Sequence, residues 1–391
     1  MTLQLIVLAA LLPVAFLSGW WVGQRALRKK RKRDCPDFSA DYFRGLNYLL
    51  NEQQDKAIDV FVQMLEVDSE TVETHLALGN LFRTRGEVDR AIRIHQNLIA
   101  RPTLSKQQSA QALLELARDY LRAGLLGRAE SLFLELFDQG LYKREALEHL
   151  LDIYQQEQEW QKAIDAARRL ENAGGEKMAV RIAHFHCELA TQALQDDELK
   201  AALKQVKQAL SIDRNSVRAT LMKAGIEQRN GRHKAVLKTL GQIEQQDPAF
   251  LSEAVPILLE SYRALGRLEA GEKHLCRWHT EYGGISALLG IAELLQARQG
   301  ERAAAARVLS YLRTHPSLRG LQRLLELQLN EAQGELHGNL VVIKGQVDKL
   351  LKEKLPYRCG NCGFEGKNLC WQCPGCKQWG TIRPIQGIAG K

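Results

Sequence analysis

A motif that recurs about every 34 residues constrains the fold of this chain more than any other feature of the sequence. In each copy an alanine is preceded, twelve positions earlier, by a small or apolar residue and is followed, four positions later, by a second marker residue. The first four copies are separated by 34, 38 and 34 residues and are centred on Ala57, Ala91, Ala129 and Ala163. Weaker copies are centred on Ala202, Ala235, Ala270 and Ala304. A repeat of this length predicts stacked copies of one structural unit.

The composition of the repeats favours pairs of antiparallel helices. Leu, Ala and Ile prevail and only 6% of the residues are aromatic, which favours helix over a β-sandwich. Glycines fall where the first helix of a pair must end, at Gly86, Gly124, Gly231, Gly266 and Gly300. Period and spacing resemble the tetratricopeptide repeat, which implies an all-α solenoid over residues 40–316. Such a solenoid implies a concave surface that binds a protein partner, and the alternative is a plain spacer.

The amino-terminal segment predicts a membrane anchor. The 20 residues Leu3 to Val22 carry no charge, and as a helix they would span ~30 Å, the thickness of the bilayer hydrocarbon. Seven basic residues follow within residues 25–33, so that only +1 of the net charge of +8 belongs to the rest of the chain. A cleaved signal peptide would carry its charges before the apolar run. We therefore predict a transmembrane anchor at 1–24, a basic linker at 25–39 and a body on the cytoplasmic side.

The carboxyl terminus predicts a metal site. Residues 317–355 continue in a helical pattern, and a separate domain follows at 356–391. Two C-x₂-C pairs lie in it, namely Cys359, Cys362, Cys373 and Cys376. A segment this short cannot bury a sufficient core, so a metal held by four thiolates must stabilise its fold. One zinc or iron ion suits such a site, and both metals remain open.

A fifth cysteine in the same segment offers another pairing. Cys370 lies three residues before Cys373, but the Pro-Gly between Cys373 and Cys376 makes the better metal-binding turn. Redox chemistry of a C-x-x-C pair is the other alternative, and it would require a thioredoxin-like strand–helix context that the sequence does not have.

The rest of the sequence gives no sign of an enzyme. No nucleophile–base pair, phosphate-binding loop or open metal position is apparent, so the prediction contains no catalytic or cofactor-binding residues. Two other clusters fall in repeat helices, where packing or surface roles are expected: His184, His186 and Cys187, and His274, Cys276 and His279. A nearly neutral body behind a membrane anchor also argues against nucleic acid as a partner.

The combination of anchor, basic strip, helical repeats and a terminal C-G-N-C-G-F, W-Q-C-P-G-C and T-I-R-P-I resembles the lipopolysaccharide assembly protein B family of Gram-negative bacteria. The two cysteine pairs resemble the rubredoxin knuckle. The resemblance implies a non-enzymatic regulator in the inner membrane that promotes proteolysis of the lipid A deacetylase LpxC by the membrane protease FtsH. The alternative is a general scaffold for other lipopolysaccharide-synthesis proteins. A homo-oligomer is compatible with both.

Overall fold

The computed structural model describes residues 40–51, 53, 56–61, 72–102, 104–174, 177–387 and 390. The predicted transmembrane anchor at 1–24 and the basic linker at 25–39 lie outside these residues. Within the described ranges, none of the helices combines the length and the apolar character that crossing a membrane requires.

The chain divides into two compact units, residues 1–146 and 147–391. In the described part of the first unit, residues 56–61 are helical and five further helices lie entirely within it: α1 (Ala40–Leu50), α2 (Val72–Arg85), α3 (Val88–Ile99), α4 (Lys106–Arg122) and α5 (Leu126–Gln139). Helix α6 (Lys143–Gln156) contains the division.

The second unit continues the helix pairs. Its helices are α7 (Trp160–Asn172), α8 (Ala179–Gln195), α9 (Leu199–Ile212), α10 (Val217–Arg229), α11 (His233–Leu240), α12 (Ile243–Gln246), α13 (Leu251–Ala264), α14 (Leu268–Tyr282), α15 (Ile285–Gln299), α16 (Glu301–Leu312), α17 (Leu318–Leu329) and α18 (Gly334–Glu353). A single 3-10 turn (Pro248–Phe250) precedes α13. The helices predicted after residue 317 are therefore present as α17 and α18.

Complementary side-chain sizes explain why the repeat spacing produces close helix pairs. The marker alanines Ala57, Ala91, Ala129 and Ala163 are all fully buried. In the first repeat a Cβ added to Gly45 would lie 2.7 Å from the ring of Phe61, so glycine is needed for the aromatic side chain to fit. In the fourth repeat the sizes are reversed: the large residue Leu151 takes the place of the glycine, and the small residue Ala167 takes the place of the aromatic residue sixteen positions later. Both residues are buried.

Two of the later repeats are shifted by one residue from the sequence expectation. The fully buried residue of the sixth repeat is Val236, while Ala235 is half-buried. In the seventh, Gly271 takes the close-contact place, since an added Cβ would lie 2.9 Å from Tyr262. The seventh pair is complete as α13 and α14, although the sequence around Ala270 predicts only a poor copy. The sequence pattern missed these positions because valine and glycine replace the expected alanine there.

A small sheet follows the helices, so the chain is mostly helical and not entirely so. Strands β1 (Tyr357–Cys359), β2 (Glu365–Gly366) and β3 (Ile382–Pro384) form an antiparallel sheet in the order β2-β1-β3. Arg358 pairs with Glu365 on one side and with Arg383 on the other. This sheet places Cys359 at the end of its central strand.

Candidate metal centre

The structure brings the four predicted cysteine sulfurs together. The Sγ atoms of Cys359, Cys362, Cys373 and Cys376 all lie within 4.8 Å of one another. The Cys359–Cys376 and Cys362–Cys373 sulfur pairs are 3.8 and 3.6 Å apart. A tetrahedral site with metal–sulfur bonds of about 2.3 Å requires sulfur–sulfur separations of about 3.8 Å, so the arrangement fits a four-thiolate metal ion. Cys370 is half-buried beside this group and does not belong to it.

Hydrogen bonds to the sulfurs favour the thiolate form on two of the cysteines. The hydroxyl oxygen of Thr381 lies 3.3 Å from Cys359 Sγ, and it lowers the pKa of Cys359 to about 6 together with backbone amides. The Asn361 side chain lowers the pKa of Cys376. For Cys362 the Phe364 amide lowers the pKa, but partial desolvation of the exposed thiol and its hydrogen bonds with the neighbouring thiols outweigh this effect and raise the pKa to about 11. A bound cation would displace the proton of Cys362, because metal ligands must be thiolates.

Both metal-binding turns place the residue after their second cysteine in the left-handed region. Gly363 has φ 76° and Lys377 has φ 58°. This backbone turn is easy for glycine and costs a side-chain-bearing residue roughly 1–2 kcal/mol. The second turn therefore carries strain at Lys377, which the first avoids.

The metal domain packs against repeat helices of its own unit through Trp379. The Trp379 indole N–H donates to Gln155 Oε1 at 2.9 Å, and its ring stacks on His184 with centroids 5.1 Å apart. Phe185 and Trp160 contact the same ring edge-on, at 5.8 and 6.1 Å. The turn reaches this close because Gly380 has no side chain, since a Cβ there would lie 3.2 Å from His184 Nε2. Trp379 is thus only 8% exposed, and it joins the metal domain to the repeat helices.

Three further contacts extend this interface. Trp371 stacks on Phe250 with centroids 5.5 Å apart, and the Tyr357 hydroxyl donates to the Glu253 carboxylate at 3.1 Å. The Arg383 guanidinium forms an ion pair with the Asp247 carboxylate, with a nitrogen–oxygen distance of 3.3 Å. The sequence pattern did not reveal these contacts, because each partner lies at least a hundred residues away in the chain. The presence of two tryptophans in so short a domain, Trp371 and Trp379, was the sequence signal that could have indicated such an interface.

The two histidine and cysteine clusters have packing roles. His184 is buried against Trp379, and burial together with Arg218 lowers its pKa to about 3, so its ring is neutral. His186 is hydrogen-bonded to Gln205 at 2.8 Å, and burial raises the pKa of Cys187 to about 12.

The second cluster contains the same kind of contact. His274 bonds to the Tyr262 hydroxyl at 2.8 Å, and His279 bonds to the Gly284 carbonyl at 3.1 Å. Burial lowers the pKa of both histidines.

Fold and site together define a helical-repeat protein with a rubredoxin-like four-thiolate domain at its carboxyl end. The family described as rubredoxin metal binding domain matches residues 357–384. Lipopolysaccharide assembly protein B of Escherichia coli strain K12 is 42% identical over 97% of this chain and 98% of its own length. The protein of the same name from Haemophilus influenzae is 34% identical over 96% and 97%. The chain therefore belongs to the lipopolysaccharide assembly protein B family.

A solved structure shares the helical fold. The structure described as Naa15/Naa10 bound to HypK-THB covers 85% of this chain and 52% of the matched chain, with a TM-score of 0.50 and 15% identity. At this level of identity the likeness concerns the fold alone.

Proposed function

We propose that this chain is a non-enzymatic regulator of lipopolysaccharide biosynthesis that promotes proteolysis of the deacetylase LpxC by the membrane protease FtsH. The observation that carries the proposal is the match to lipopolysaccharide assembly protein B along 97% of the chain. Repeated helix pairs support protein binding, because they offer extended surfaces. The metal domain supports binding over catalysis, since four thiolates fill the positions of a tetrahedral ion.

The proposed mechanism is an increase in effective concentration. The uncharged run at residues 3–22 and the basic strip at 25–33 support a single-pass anchor in the bacterial inner membrane, with the body on the cytoplasmic side. A deacetylase bound to a body held in the plane of the membrane would meet a protease in that plane far more often than by free diffusion. No chemical step by the chain itself is required.

Deacetylase lifetime tests the proposal. Removing this chain from its host should lengthen the half-life of LpxC, and the full chain should restore the short half-life. A chain without residues 1–33 should leave the membrane fraction and fail to restore it. An unchanged half-life after removal would reject the regulator.

A general scaffold for lipopolysaccharide-synthesis enzymes is the second candidate, because the relatives are named assembly proteins. Crosslinked pull-down from membranes distinguishes the two. The regulator predicts recovery of the protease with the deacetylase, whereas the scaffold predicts synthesis enzymes without the protease.

A further inference from the structure

The first helices of three successive pairs in the second unit border a groove. One cavity of about 540 Å³ lies against α13, α15 and α17, and it is lined by Arg263, Glu293 and Arg323 among others. A second cavity of about 610 Å³ lies against α15, α17, α18 and the metal domain. Both cavities are lined by Leu289, so they meet there. The two form one elongated depression with volumes in the ~300–1,000 Å³ range of ligand sites.

This depression, which we call the basic groove, is rich in positive charge. Its basic residues are Arg263, Arg319, Arg323, Lys352, Lys354 and Lys367. Its two acids already have partners. Glu293 pairs with Arg263, and Asp348 accepts from Lys344 at 2.9 Å and from Gln322 at 2.7 Å. The groove therefore has an excess of cations that its own acids do not neutralise.

Three of these cations have no acidic partner within the part of the chain that the structure describes, namely Arg319, Lys354 and Lys367, whereas Lys352 interacts electrostatically with Asp348. The mutual repulsion of the cations raises the free energy of the empty groove, and a bound anionic group would relieve it.

The floor of the groove is apolar. Leu289, Leu351 and Pro356 line the second cavity and are each half-buried. Apolar floor and basic rim together suit a chain that carries both carboxylates and large apolar side chains. The elongated form suits an extended segment. Leu289, Leu351 and Pro356 offer contacts that suit the apolar side chains of a peptide, so we favour a peptide over a lipid headgroup.

We infer that the basic groove binds an acidic, leucine-containing segment of a partner protein. The inference rests on the proposed protein-binding role of the repeats and names the chemistry of the partner segment. Lys367 belongs to the metal domain, whereas Arg319 and Lys352 belong to helices, so a complete groove requires the metal domain in its docked position.

Fluorescence anisotropy with a labelled peptide tests the inference. The probe is a ten-residue peptide of sequence DELEDLDELE, and its matched control replaces every acid by the corresponding amide. The full chain in detergent should bind the acidic peptide and should bind the amide peptide at least ten-fold more weakly, a difference of about 1.4 kcal/mol. Equal binding of the two peptides would overturn the inference.

Charge reversal locates the binding. The double variant Lys352→Glu, Lys367→Glu should weaken binding of the acidic peptide by about ten-fold, because two attractions become repulsions. The matched control is Lys200→Glu, Lys207→Glu, two exposed lysines of α9 outside the groove, and it should change binding less than three-fold. Equal effects of the two double variants would overturn the inference.

A third variant predicts a change of the opposite sign. Asp348→Asn keeps the shape of the side chain and removes the negative charge beside Lys352 and Lys344, although Lys344 keeps its ion pair with Glu326, so binding of the acidic peptide should tighten by about two-fold to three-fold. Weaker binding would count against the groove. Unchanged metal content and circular dichroism establish that each variant is folded.

Two further outcomes are decisive. Vesicles of phosphatidylglycerol that bind the full chain and lose binding with Lys352→Glu, Lys367→Glu would replace the peptide by a lipid surface and overturn the inference. The deacetylase half-life is measured separately. If the peptide binds but the deacetylase half-life is unchanged when the chain is removed, the proposed regulatory function is rejected and the groove is kept. If the peptide does not bind but the half-life lengthens, the groove is rejected and the regulatory function is kept.

Discussion

Replacement of Trp379 by alanine should weaken metal binding, although Trp379 is not a metal ligand. Truncation of a buried tryptophan to alanine costs about 3–5 kcal/mol of folding free energy. Trp379 is only 8% exposed, and its replacement also removes the hydrogen bond to Gln155. The metal-free segment has too small a core to stay folded and docked, so the docking energy contributes to the free energy of metal binding. At about 1.4 kcal/mol per factor of ten, the lower limit predicts an affinity about 100-fold weaker.

The assay is competition between the full chain and a chromophoric chelator for zinc. The matched control is Phe364→Ala, an aromatic truncation in the same domain at a side chain that is 36% exposed. This control should change the affinity less than three-fold. If Trp379→Ala binds zinc as tightly as the unaltered chain, the metal domain folds without help from the helices and the coupling is wrong.

Three further predictions concern stability. The pKa of His184 is about 3 in the folded chain, below its ordinary 6.5, so the unfolded chain binds more protons between these two pH values. The free energy of unfolding of the second unit should therefore fall by about 2 kcal/mol when the pH is lowered from 7 to 5. The variant His184→Gln should not show this fall. In chemical denaturation of the metal-loaded chain, Lys377→Gly should stabilise the metal domain by about 0.5–1 kcal/mol and Gly363→Ala should destabilise it by about 1–2 kcal/mol. Asp119→Ala removes the carboxylate that contacts the fully buried His95 at 2.5 Å and Arg83 at 2.9 Å, and it should destabilise the first unit by about 1–3 kcal/mol by hydrogen exchange, because His95 loses its hydrogen-bond partner. Glu87→Ala, at a half-buried ion-pair residue of the surface, should cost less than about 1 kcal/mol.

Each of these has a distinct contradicting result. A pH slope that persists in His184→Gln would assign the titration to another group. Destabilisation by Lys377→Gly would mean that its side chain contributes more than its backbone strain costs. Similar effects of Asp119→Ala and Glu87→Ala would show that the contacts of Asp119 with His95 and Arg83 contribute no more than a surface ion pair.

The helix pairs were predictable because their packing depends on residues close in sequence. A small residue and its bulky partner lie sixteen positions apart, as in Gly45 and Phe61, so one period records the whole contact. Where valine or glycine replaced alanine, as at Val236 and Gly271, the sequence pattern weakened although the helices are present. Packing constrains the combined volume of a pair more than the identity of one residue.

The metal site was predictable for the same reason, and its docking was not. Four cysteines within eighteen residues fix a local geometry through their spacing alone. The bond between Trp379 and Gln155 joins residues 224 positions apart, and no periodicity connects them. The basic groove likewise arises from helices and a metal domain that meet only in the folded chain.

Proteolysis reconstituted from purified components tests the central claim most directly. LpxC and FtsH are placed in proteoliposomes with or without the full chain, and the rate of LpxC loss is measured. The proposal predicts faster loss with the full chain and little gain with a chain lacking residues 1–33. An equal rate of loss with and without the full chain would contradict it.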